Sequence, residues 1–240
     1  IAHGLRSGIG RATAIALSAA RWTVVLSGRR EAELHLTASR CPWETLVVPT
    51  DVSKEEEVMR LFQRTIKVFG MLDLLFNNAG TGGPRLPLDQ VSGDEFMDVI
   101  NVNVFASFLC TREAVKIFKR QGKGGRIINN GSLAAHVPRP NSVSYTVSKH
   151  AISGLTKSTA LDGRQFNITC TQIDIGNAST EMTAGHSSGA LQPDGTTRSE
   201  ALCDVNHVAD TIVHIASLPH ETTVLTVNVM ATGMPFVGRG

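Results

Sequence analysis

The feature of this sequence that most restricts its fold is the alternation of short apolar runs with helix-like segments. The runs TVVLS, TLVVPT, DLLFN, RIINN and NITCTQIDI have the length and the Val, Ile and Leu content of buried strands. Segments of helical composition separate them, and no linker rich in Pro, Gly or Ser is long enough to divide the chain. This order predicts an α/β fold with a doubly wound parallel sheet, in which right-handed crossover helices cover both faces.

We expect one domain over all 240 residues. The chain opens at Ile1 without a Met, so the first strand is expected to be truncated. Ser53 and Glu56 have the spacing of a capping box at the start of an amphipathic helix. A single long helix is expected over residues 94–120. The polar segment 177–206 exceeds the roughly 12–15 residues usual for a loop, so we interpret it as a substrate lid with short helical turns.

Composition argues against several classes of protein. The formal net charge is only +2, and no run of Lys and Arg forms the basic surface that a nucleic acid requires. No apolar stretch reaches the ~18 residues of a membrane span, and no signal-peptide pattern is present. The four cysteines are too widely spaced for a zinc site or a disulfide framework. We therefore expect a cytoplasmic protein with no metal, no nucleic-acid partner and no membrane partner.

A cluster of glycines lies where the first strand passes into the first helix, in HGLRSGIG. Glycines at this point let the backbone approach a pyrophosphate closely, and the helix N-terminus offers free N–H groups. The alternative is a tight turn that binds nothing. We predict a dinucleotide site of Rossmann type, with cofactor contacts at Gly4, Arg6, Ser7, Gly8, Ile9 and Gly10.

Tyr145, the only tyrosine in the chain, precedes Lys149 by four residues in a segment of helical composition. The two side chains would project from one helix face, and a nearby cation favours the phenolate form of a tyrosine. Ser132 follows the apolar run RIINN, where a strand would end and a cleft would open. Such a serine would hold a substrate oxygen while the phenol exchanges its proton. The spacing by itself is also that of a half-buried aromatic residue beside a solvated lysine.

Several motifs, taken together and in order, resemble those of the short-chain dehydrogenase/reductase family over nearly the whole chain. The glycine turn resembles the family pattern T-G-x-x-x-G-x-G, with His3 in the threonine position. The sequence NNAG at residues 77–80 matches the motif that follows strand four, and Asn103 matches the asparagine of the family's catalytic tetrad. Ser132 precedes Tyr145 by 13 residues, the separation that the family shows.

The resemblance implies roles for further residues and shows three departures. Gly131 stands where a first serine is common, and Ile175 replaces the frequent proline before Gly176. Besides His3, these are the positions at which the pattern differs. The catalytic residues implied are Asn103, Ser132, Tyr145 and Lys149. The cofactor contacts implied beyond the glycine turn are Asp51 and Val52 at the adenine, Asn78, Ala79 and Gly80 after strand four, Tyr145, Lys149, and Gly176 with Thr180 at the nicotinamide.

The resemblance therefore implies an NAD(P)-dependent oxidoreductase that interconverts a secondary alcohol and a ketone. Tyr145 would be the general acid/base, Ser132 would hold the substrate oxygen, Lys149 would also bind the ribose, and Asn103 would hold a water that links Lys149 to solvent. A homodimer or homotetramer is implied as well. Two other functions stay open: a non-catalytic dinucleotide-binding redox sensor, and an epimerase or dehydratase of the same superfamily. The sequence does not identify the substrate.

The end of the second strand predicts the choice of cofactor. A site that prefers NAD usually has an acidic residue about 20 residues beyond the glycine turn, at the ribose. Here the sequence is LSGRR, with Gly28 in the acidic position and Arg29 and Arg30 after it. Guanidinium groups bind a 2′-phosphate well, so NADP is expected, with NAD as second choice. The alternative is that both arginines pair with Glu31 and Glu33.

Most of the eight histidines lack the spacing of metal ligands or of a catalytic triad. We interpret them as structural. His136 is the exception, since its position after Ser132 would allow it to line the substrate cleft. Asp174, at the end of the sixth strand, is expected to accept hydrogen bonds from local donors rather than to act as a base.

Overall fold

The computed structural model describes residues 1–4, 8–180 and 189–237. Within these residues one parallel sheet of seven strands has the order β3-β2-β1-β4-β5-β6-β9. A separate antiparallel pair, β7 and β8, forms a short hairpin. The strands are β1 Ala2–His3, β2 Val24–Gly28, β3 Thr45–Pro49, β4 Leu74–Asn77, β5 Gly125–Asn130, β6 Ile168–Ile175, β7 Ala190–Leu191, β8 Thr197–Arg198 and β9 Thr226–Val229.

Helices connect the successive strands of this sheet. They are α1 Gly8–Ala19, α2 Glu31–Ala38, α3 Glu55–Phe69, α4 Gly93–Ile100, α5 Ala106–Gln121, α6 Val143–Gly163 and α7 Val205–Ser217. Short 3-10 turns occupy Leu88–Gln90, Leu133–Ala135 and Arg164–Phe166. None of the helices in the described ranges combines the length and the apolar character needed to cross a lipid bilayer.

Successive side chains along each strand point to opposite faces of the sheet, so the apolar side chains form two cores. On one face Val25, Leu75 and Ile127 pack with residues of α3 and α5, and Cys110 and Cys170 belong to the same cluster. On the other face a second cluster joins the alternate strand positions to α1 and α7; it includes Leu26, Phe76, Ile128, Leu17, Val208 and Ile212. Both sheet faces are therefore covered, and the predicted doubly wound α/β fold is confirmed.

The direction in which strands are added to the sheet reverses between β1 and β4, which are hydrogen-bonded neighbours. From β1 the chain builds outward through β2 and β3, and from β4 it builds the other way through β5, β6 and β9. The connections after these strands run to opposite faces of the sheet, which leaves a crevice at the carboxyl edge. The glycine turn follows β1 at this edge, and the NNAG sequence begins at the end of β4. The fold therefore brings these two predicted motifs together.

The predicted capping box at Ser53 and Glu56 is wrong. Helix α3 begins at Glu55, and its N-cap residue, Lys54, makes no side-chain hydrogen bond. Ser53 instead donates its hydroxyl to Oδ1 of Asp51, at 2.7 Å. Asp51 accepts from both the hydroxyl and the backbone N–H of Ser53, so Ser53 belongs to the turn before the helix and is not its N-cap.

The long helix expected over residues 94–120 is interrupted. A capping box of Ser92 and Glu95 starts α4, and a π-helical turn over Asn101–Phe105 separates α4 from α5. A π turn has one more residue per hydrogen-bonded ring than an α-helix and often occurs at functional sites. Its single buried residue here is Asn103.

The segment expected to be a lid with short helical turns differs from this expectation where it is described. Residues 189–204 contain the β7–β8 hairpin rather than helical turns, and Ala178 forms an isolated bridge with Cys203. Residues 181–188 lie outside the described part of the chain. The β-structure follows from the Asp194-Gly195 turn, in which Gly195 has φ +80°. A role as a lid stays a prediction.

Candidate active site

A cavity of about 290 Å³ opens at the carboxyl edge of the sheet, beside Ser132 and Tyr145. Its remaining wall is mainly apolar, and it comes from the segment after β5, the end of β6, the β7 strand and the C-terminal residues. The apolar wall residues include Leu133, Ala134, Val137, Pro140, Ile175, Ala190, Leu191, Met234, Pro235 and Phe236. A concave apolar site with a few polar groups is the usual form of a small-molecule site.

Tyr145 and Lys149 lie one turn apart on α6, as their spacing predicts. Nζ of Lys149 is 5.4 Å from the ring centroid of Tyr145 and donates a hydrogen bond to the carbonyl of Asn130, at 2.8 Å. Lys149 is only 6% exposed, and no ion pair joins it to a carboxylate in the described residues. Its positive charge therefore lies beside the phenol without being neutralised.

Ser132 begins the turn that follows β5. Its backbone is extended, and its Oγ accepts a hydrogen bond from the N–H of Ala134, at 3.1 Å. A hydroxyl has one donor and two acceptor positions, so this contact fixes the oxygen and leaves the O–H free for a ligand. Ser132 and Tyr145 thus present a hydroxyl donor and a phenol to one cavity.

Asn103 connects the loop after β4 to the Tyr145 helix. Its Oδ1 accepts from the N–H of Thr81, at 2.8 Å, and its Nδ2 donates to the carbonyl of Thr81 and to Oγ of Ser148, both at 2.9 Å. Its backbone carbonyl also accepts from Ser107. Because the side chain is occupied by these contacts, a water held by Asn103 would bind at its backbone carbonyl.

The described part of the glycine turn has the geometry that a close backbone approach requires. Gly4 has φ +74°, and a Cβ there would lie 2.7 Å from both N and Cα of Ala79. Gly8 has φ +61°, and a Cβ there would lie 2.7 Å from Cγ2 of Thr180. These positions admit only glycine, and they leave a backbone surface beside the N-terminus of α1 that suits a pyrophosphate. Arg6 and Ser7 lie outside the described residues.

The NNAG sequence supports the glycine turn from the neighbouring strand. Nδ2 of Asn78 donates to the carbonyls of His3 and Gly4, at 3.2 and 3.0 Å, while its Oδ1 accepts from Asn130. Gly80 has no Cβ, and one placed there would be 3.4 Å from Oδ1 of Asn103. Asn78 therefore joins the predicted cofactor turn to the end of β5, two residues before Ser132.

His3, the departure from the family threonine, is completely buried. Its Nδ1 accepts a hydrogen bond from the N–H of Ala79, at 3.1 Å, and its Nε2 lies 2.8 Å from Oδ1 of Asn77. Burial lowers the pKa of His3 to about 4, although the hydrogen bond to Asn77 opposes this shift. The ring is therefore neutral near pH 7 and ties β1 to β4.

The residues after β2 and β3 that are predicted to contact the cofactor lie next to each other at the carboxyl ends of these strands. Gly28 and Pro49, the last residues of the two strands, are paired in the sheet. Arg29 and Arg30 are exposed. Asp51 is half-buried, which raises its pKa, but hydrogen bonds from Ser53 and the charge of Arg29 outweigh this, so the pKa lies below its ordinary value. Val52 beside it is buried.

The alternative pairing of Arg29 and Arg30 with Glu31 and Glu33 is not found. Glu33 pairs with Arg11, at 2.6 Å, and Glu31 lies 3.7 Å from His35. Neither Arg29 nor Arg30 has a carboxylate within 4 Å among the described residues. Both guanidinium groups are therefore available to a ligand at this end of the sheet.

A polar cluster that sequence reasoning missed supports one wall of the cavity. Arg139 contacts both carboxylate oxygens of Glu200, at 3.0 and 2.5 Å, and Glu200 also accepts from Asn177 and Gln192, at 2.7 and 2.9 Å. Burial raises the pKa of Glu200, but these hydrogen bonds outweigh it and hold the pKa at about 2. No sequence pattern marks this pair, because its members are 61 residues apart in irregular segments.

His136 and Asp174 lie next to each other behind Ser132. Nε2 of His136 is 2.7 Å from Oδ2 of Asp174, and Oδ1 of Asp174 accepts from the N–H of Ser132. Asp174 thus binds local donors, as expected. His136 is not among the residues of the cavity wall, although its ring is edge-on to that of Phe236, which is.

Comparison with known proteins identifies the family. The family model described as short chain dehydrogenase matches residues 1–190. A 3beta-hydroxysteroid dehydrogenase of Mediterraneibacter gnavus is 36% identical over 183 residues, which are 75% of this chain and 66% of that protein. A short chain dehydrogenase/reductase of Aspergillus oryzae is 32% identical over 76% of this chain and 72% of its own length.

A solved structure shows the same architecture. The 3-ketoacyl-(acyl-carrier-protein) reductase of Brucella melitensis, complexed with NADH, is 26% identical and matches with a TM-score of 0.86, over 95% of this chain and 94% of that chain. These similar proteins are dehydrogenases and reductases, which favours an oxidoreductase over a redox sensor, an epimerase or a dehydratase. The protein therefore belongs to the short-chain dehydrogenase/reductase family, as its motifs predicted.

Proposed function

We propose that this protein interconverts a secondary alcohol and a ketone, with NADP as its cofactor and NAD as second choice. The observation that carries the proposal is the position of Ser132 and Tyr145 on the wall of one cavity. Lys149 lies buried beside the tyrosine with its charge unpaired by any carboxylate of the described residues. A hydroxyl donor, a phenol and a cation in this arrangement suit proton exchange at a carbonyl oxygen.

Each residue has a separate task in the reductive direction. Ser132 donates its hydroxyl hydrogen to the carbonyl oxygen and holds it in place. Tyr145 donates a proton to the same oxygen, and in the oxidative direction it accepts that proton from the alcohol. Lys149 favours the phenolate that results. Asn103 holds the loop after β4 against α6, and its backbone carbonyl would hold the water that links Lys149 to solvent. When bound, the nicotinamide dinucleotide supplies or accepts the hydride.

The residues proposed to hold the dinucleotide follow the carboxyl edge of the sheet. The glycine turn and the first turn of α1 would bind the pyrophosphate, and Asp51 and Val52 the adenine. Arg29 and Arg30 would bind a 2′-phosphate, because neither has a carboxylate partner among the residues that the structure describes. The proposed contacts are Gly4, Arg6, Ser7, Gly8, Ile9, Gly10, Arg29, Arg30, Asp51, Val52, Asn78, Ala79, Gly80, Tyr145, Lys149, Gly176 and Thr180.

The lining of the cavity supports an uncharged and mainly apolar substrate. Two cationic residues line the cavity among the described residues. Arg85 is exposed, and the charge of Arg139 is neutralised by the buried Glu200. One similar protein is named a 3beta-hydroxysteroid dehydrogenase, and a hydroxysteroid is an apolar ring system with a secondary alcohol. Ring ketones without charge should therefore be reduced with a higher kcat/KM than keto acids of equal size. A preference for keto acids would contradict this assignment of the substrate and leave the reaction type intact.

We also propose that the protein is cytoplasmic and assembles into a homodimer or homotetramer. Large apolar side chains on the π turn, α5 and α6 support assembly, since Phe105, Phe108 and Val147 are each more than 40% exposed.

Exchange of the tyrosine tests the reaction. Tyr145→Phe should keep NADP affinity and lower kcat by about 10²–10⁴, the range typical of an acid–base group. Ser144→Ala is a matched control on the same helix, because Oγ of Ser144 has no hydrogen-bond partner in the described residues. Near-normal turnover of Tyr145→Phe, measured by nicotinamide absorbance, would remove Tyr145 from the mechanism.

A further inference from the structure

Asp174 is completely buried where β6 ends, and each of its carboxylate oxygens is in use. Oδ1 accepts from the N–H of Ser132, at 2.9 Å, and from Nε2 of Gln172, at 2.6 Å. Oδ2 lies 2.7 Å from Nε2 of His136. The last backbone hydrogen bond between the β5 and β6 segments joins the N–H of Gly131 to the carbonyl of Ile173. The next N–H along the chain, that of Ser132, is bound by the Asp174 side chain instead of by a backbone carbonyl.

Gly131 is necessary for this contact. A Cβ at Gly131 would lie 2.1 Å from Oδ1 of Asp174 and 2.8 Å from Cγ of Gln172. No side chain fits at this separation, and the obstructing carboxylate has three partners that hold it in place. The glycine that departs from the family's frequent serine is therefore explained by the aspartate on the neighbouring strand.

The contact from Asp174 acts on the residue that presents its hydroxyl to the cavity. The backbone of Ser132 is held from one side by Asp174, and its Oγ is held from the other by the N–H of Ala134. These two contacts hold the backbone and the Oγ of Ser132 in place, and the hydroxyl hydrogen stays available to a ligand in the cavity. A donor held in place before the reaction stabilises developing charge without the cost of reorganisation.

His136 ties the far end of the same turn to the same carboxylate. It follows the 3-10 turn Leu133–Ala135, and its N–H donates to the carbonyl of Leu133, at 3.0 Å. Its ring also stands edge-on to Phe236, with centroids 6.3 Å apart. The turn from Ser132 to His136 is thus bound to Asp174 at its first and last residues.

We propose that Asp174 is a positioning residue that orients Ser132 for catalysis, with Gly131 and His136 as its partners. The inference rests on the proposed role of Ser132 as the donor to the substrate oxygen. Asp174 does not touch the substrate, because the buried carboxylate is not part of the cavity wall. Its effect on turnover passes through Ser132.

A double-mutant cycle tests this dependence. Asp174→Ala should lower kcat by about 10-fold to 10²-fold, the loss expected from a misplaced group, and should leave NADP affinity unchanged. In the Ser132→Ala background the same exchange should lower kcat no further. An equal loss in both backgrounds would show that Asp174 acts without Ser132 and would overturn the inference. A Ser132→Ala enzyme with normal turnover would instead refute the proposed function.

A conservative exchange separates positioning from folding. In Asp174→Asn the side-chain oxygen can still accept from the N–H of Ser132 and from Gln172, so kcat should return to within about threefold of wild type. An Asp174→Asn protein that folds normally by circular dichroism and is as slow as Asp174→Ala would contradict the inference.

Gly131→Ala supplies an independent approach to the same contact. The added Cβ should displace the carboxylate and lower kcat about as much as Asp174→Ala, and the two losses should not add in the double variant. Gly154→Ala on α6 is the matched control, because a Cβ there meets nothing within 4 Å. A Gly131→Ala enzyme with normal kcat would show that the contact does not orient Ser132.

Discussion

Nδ1 of His3 accepts a hydrogen bond from the N–H of Ala79 and so joins the end of β1 to the NNAG sequence after β4. A threonine hydroxyl, the family's usual group here, can accept the same bond. Because Nδ1 is the acceptor, the proton of the neutral ring is on Nε2, which then donates to Oδ1 of Asn77. His3 thus provides one acceptor and one donor, and protonation of the ring would remove the acceptor.

This arrangement predicts an acid-sensitive fold. The pKa of His3 is lowered by burial to about 4, from 6.5. Above pH 6.5 His3 is neutral in both the folded and the unfolded protein, so its contribution to stability does not change with pH. Between pH 6.5 and pH 4, His3 takes up a proton in the unfolded protein but not in the folded protein. The free energy of unfolding should therefore fall by about 3 kcal/mol across this window. Urea denaturation at pH 7 and at pH 4 measures the loss.

His3→Thr is the control for this prediction. The hydroxyl keeps an acceptor for Ala79 and does not titrate, while the other ionisable groups are unchanged. Its loss of stability between the two pH values should be smaller than that of the wild type by about 3 kcal/mol. Equal losses in both proteins would mean that His3 does not cause the acid sensitivity.

The fold class could be predicted from the sequence because the residue patterns that distinguish strands from helices extend over only a few neighbouring residues. The alternation of strand-like with helix-like segments predicted a parallel sheet covered on both faces, which the two apolar clusters confirm, and the glycine turn lies at the predicted crevice. Boundaries were less predictable: the Ser53 hydroxyl donates to Asp51, and its oxygen does not accept from the first turn of α3, a difference that sequence spacing does not resolve. The π turn at Asn103 was missed, since its composition is that of an ordinary helix.

The candidate site was predictable only where a motif marks it. Tyr145, Lys149 and Ser132 come together as the spacing suggested. The pair of Arg139 and Glu200 was not foreseen, because it forms between distant irregular segments. The contact between Gly131 and Asp174 is not predictable from the sequence, although Gly131 departs from the family pattern. Its partner is on another strand, and only the register of β5 and β6 brings the two together.

The arginines after β2 lead to a prediction on cofactor choice. Wild type should use NADP with a higher kcat/KM than NAD. Arg29→Ala should reduce the NADP/NAD ratio by about tenfold or more, because a charge-assisted hydrogen bond to a phosphate contributes roughly 1.5–3 kcal/mol. Arg40→Ala, an exposed arginine beyond the other end of α2, is the matched control for the loss of one charge. An unchanged ratio in Arg29→Ala, or a wild type that favours NAD, would show that these arginines do not select the cofactor.

Glu200 should matter for substrate binding more than for cofactor binding. Glu200→Gln removes one of the two oxygens that face Arg139, and leaves a guanidinium beside the cavity without its counter-charge. The KM for an apolar ketone should rise several-fold, while that for NADP stays unchanged. Steady-state kinetics with each substrate varied in turn gives both values. The exposed Glu221→Gln should alter neither; equal changes in the two KM values of Glu200→Gln would indicate a general loss of structure instead.

The aromatic residues on the π turn and α5 predict self-association. Phe105 and Phe108 are 41% and 43% exposed, and their rings stack with centroids 6.2 Å apart. A stacked apolar pair on the surface is stabilised when a second surface covers it. Sedimentation should therefore show a dimer or tetramer, and Phe108→Glu should shift it toward monomer by placing a charge in the interface. Leu36→Glu, an equally exposed apolar residue on α2, should leave the mass unchanged. A wild type that sediments as a monomer at every concentration would refute assembly, and a Phe108→Glu protein with unaltered mass would place the interface elsewhere.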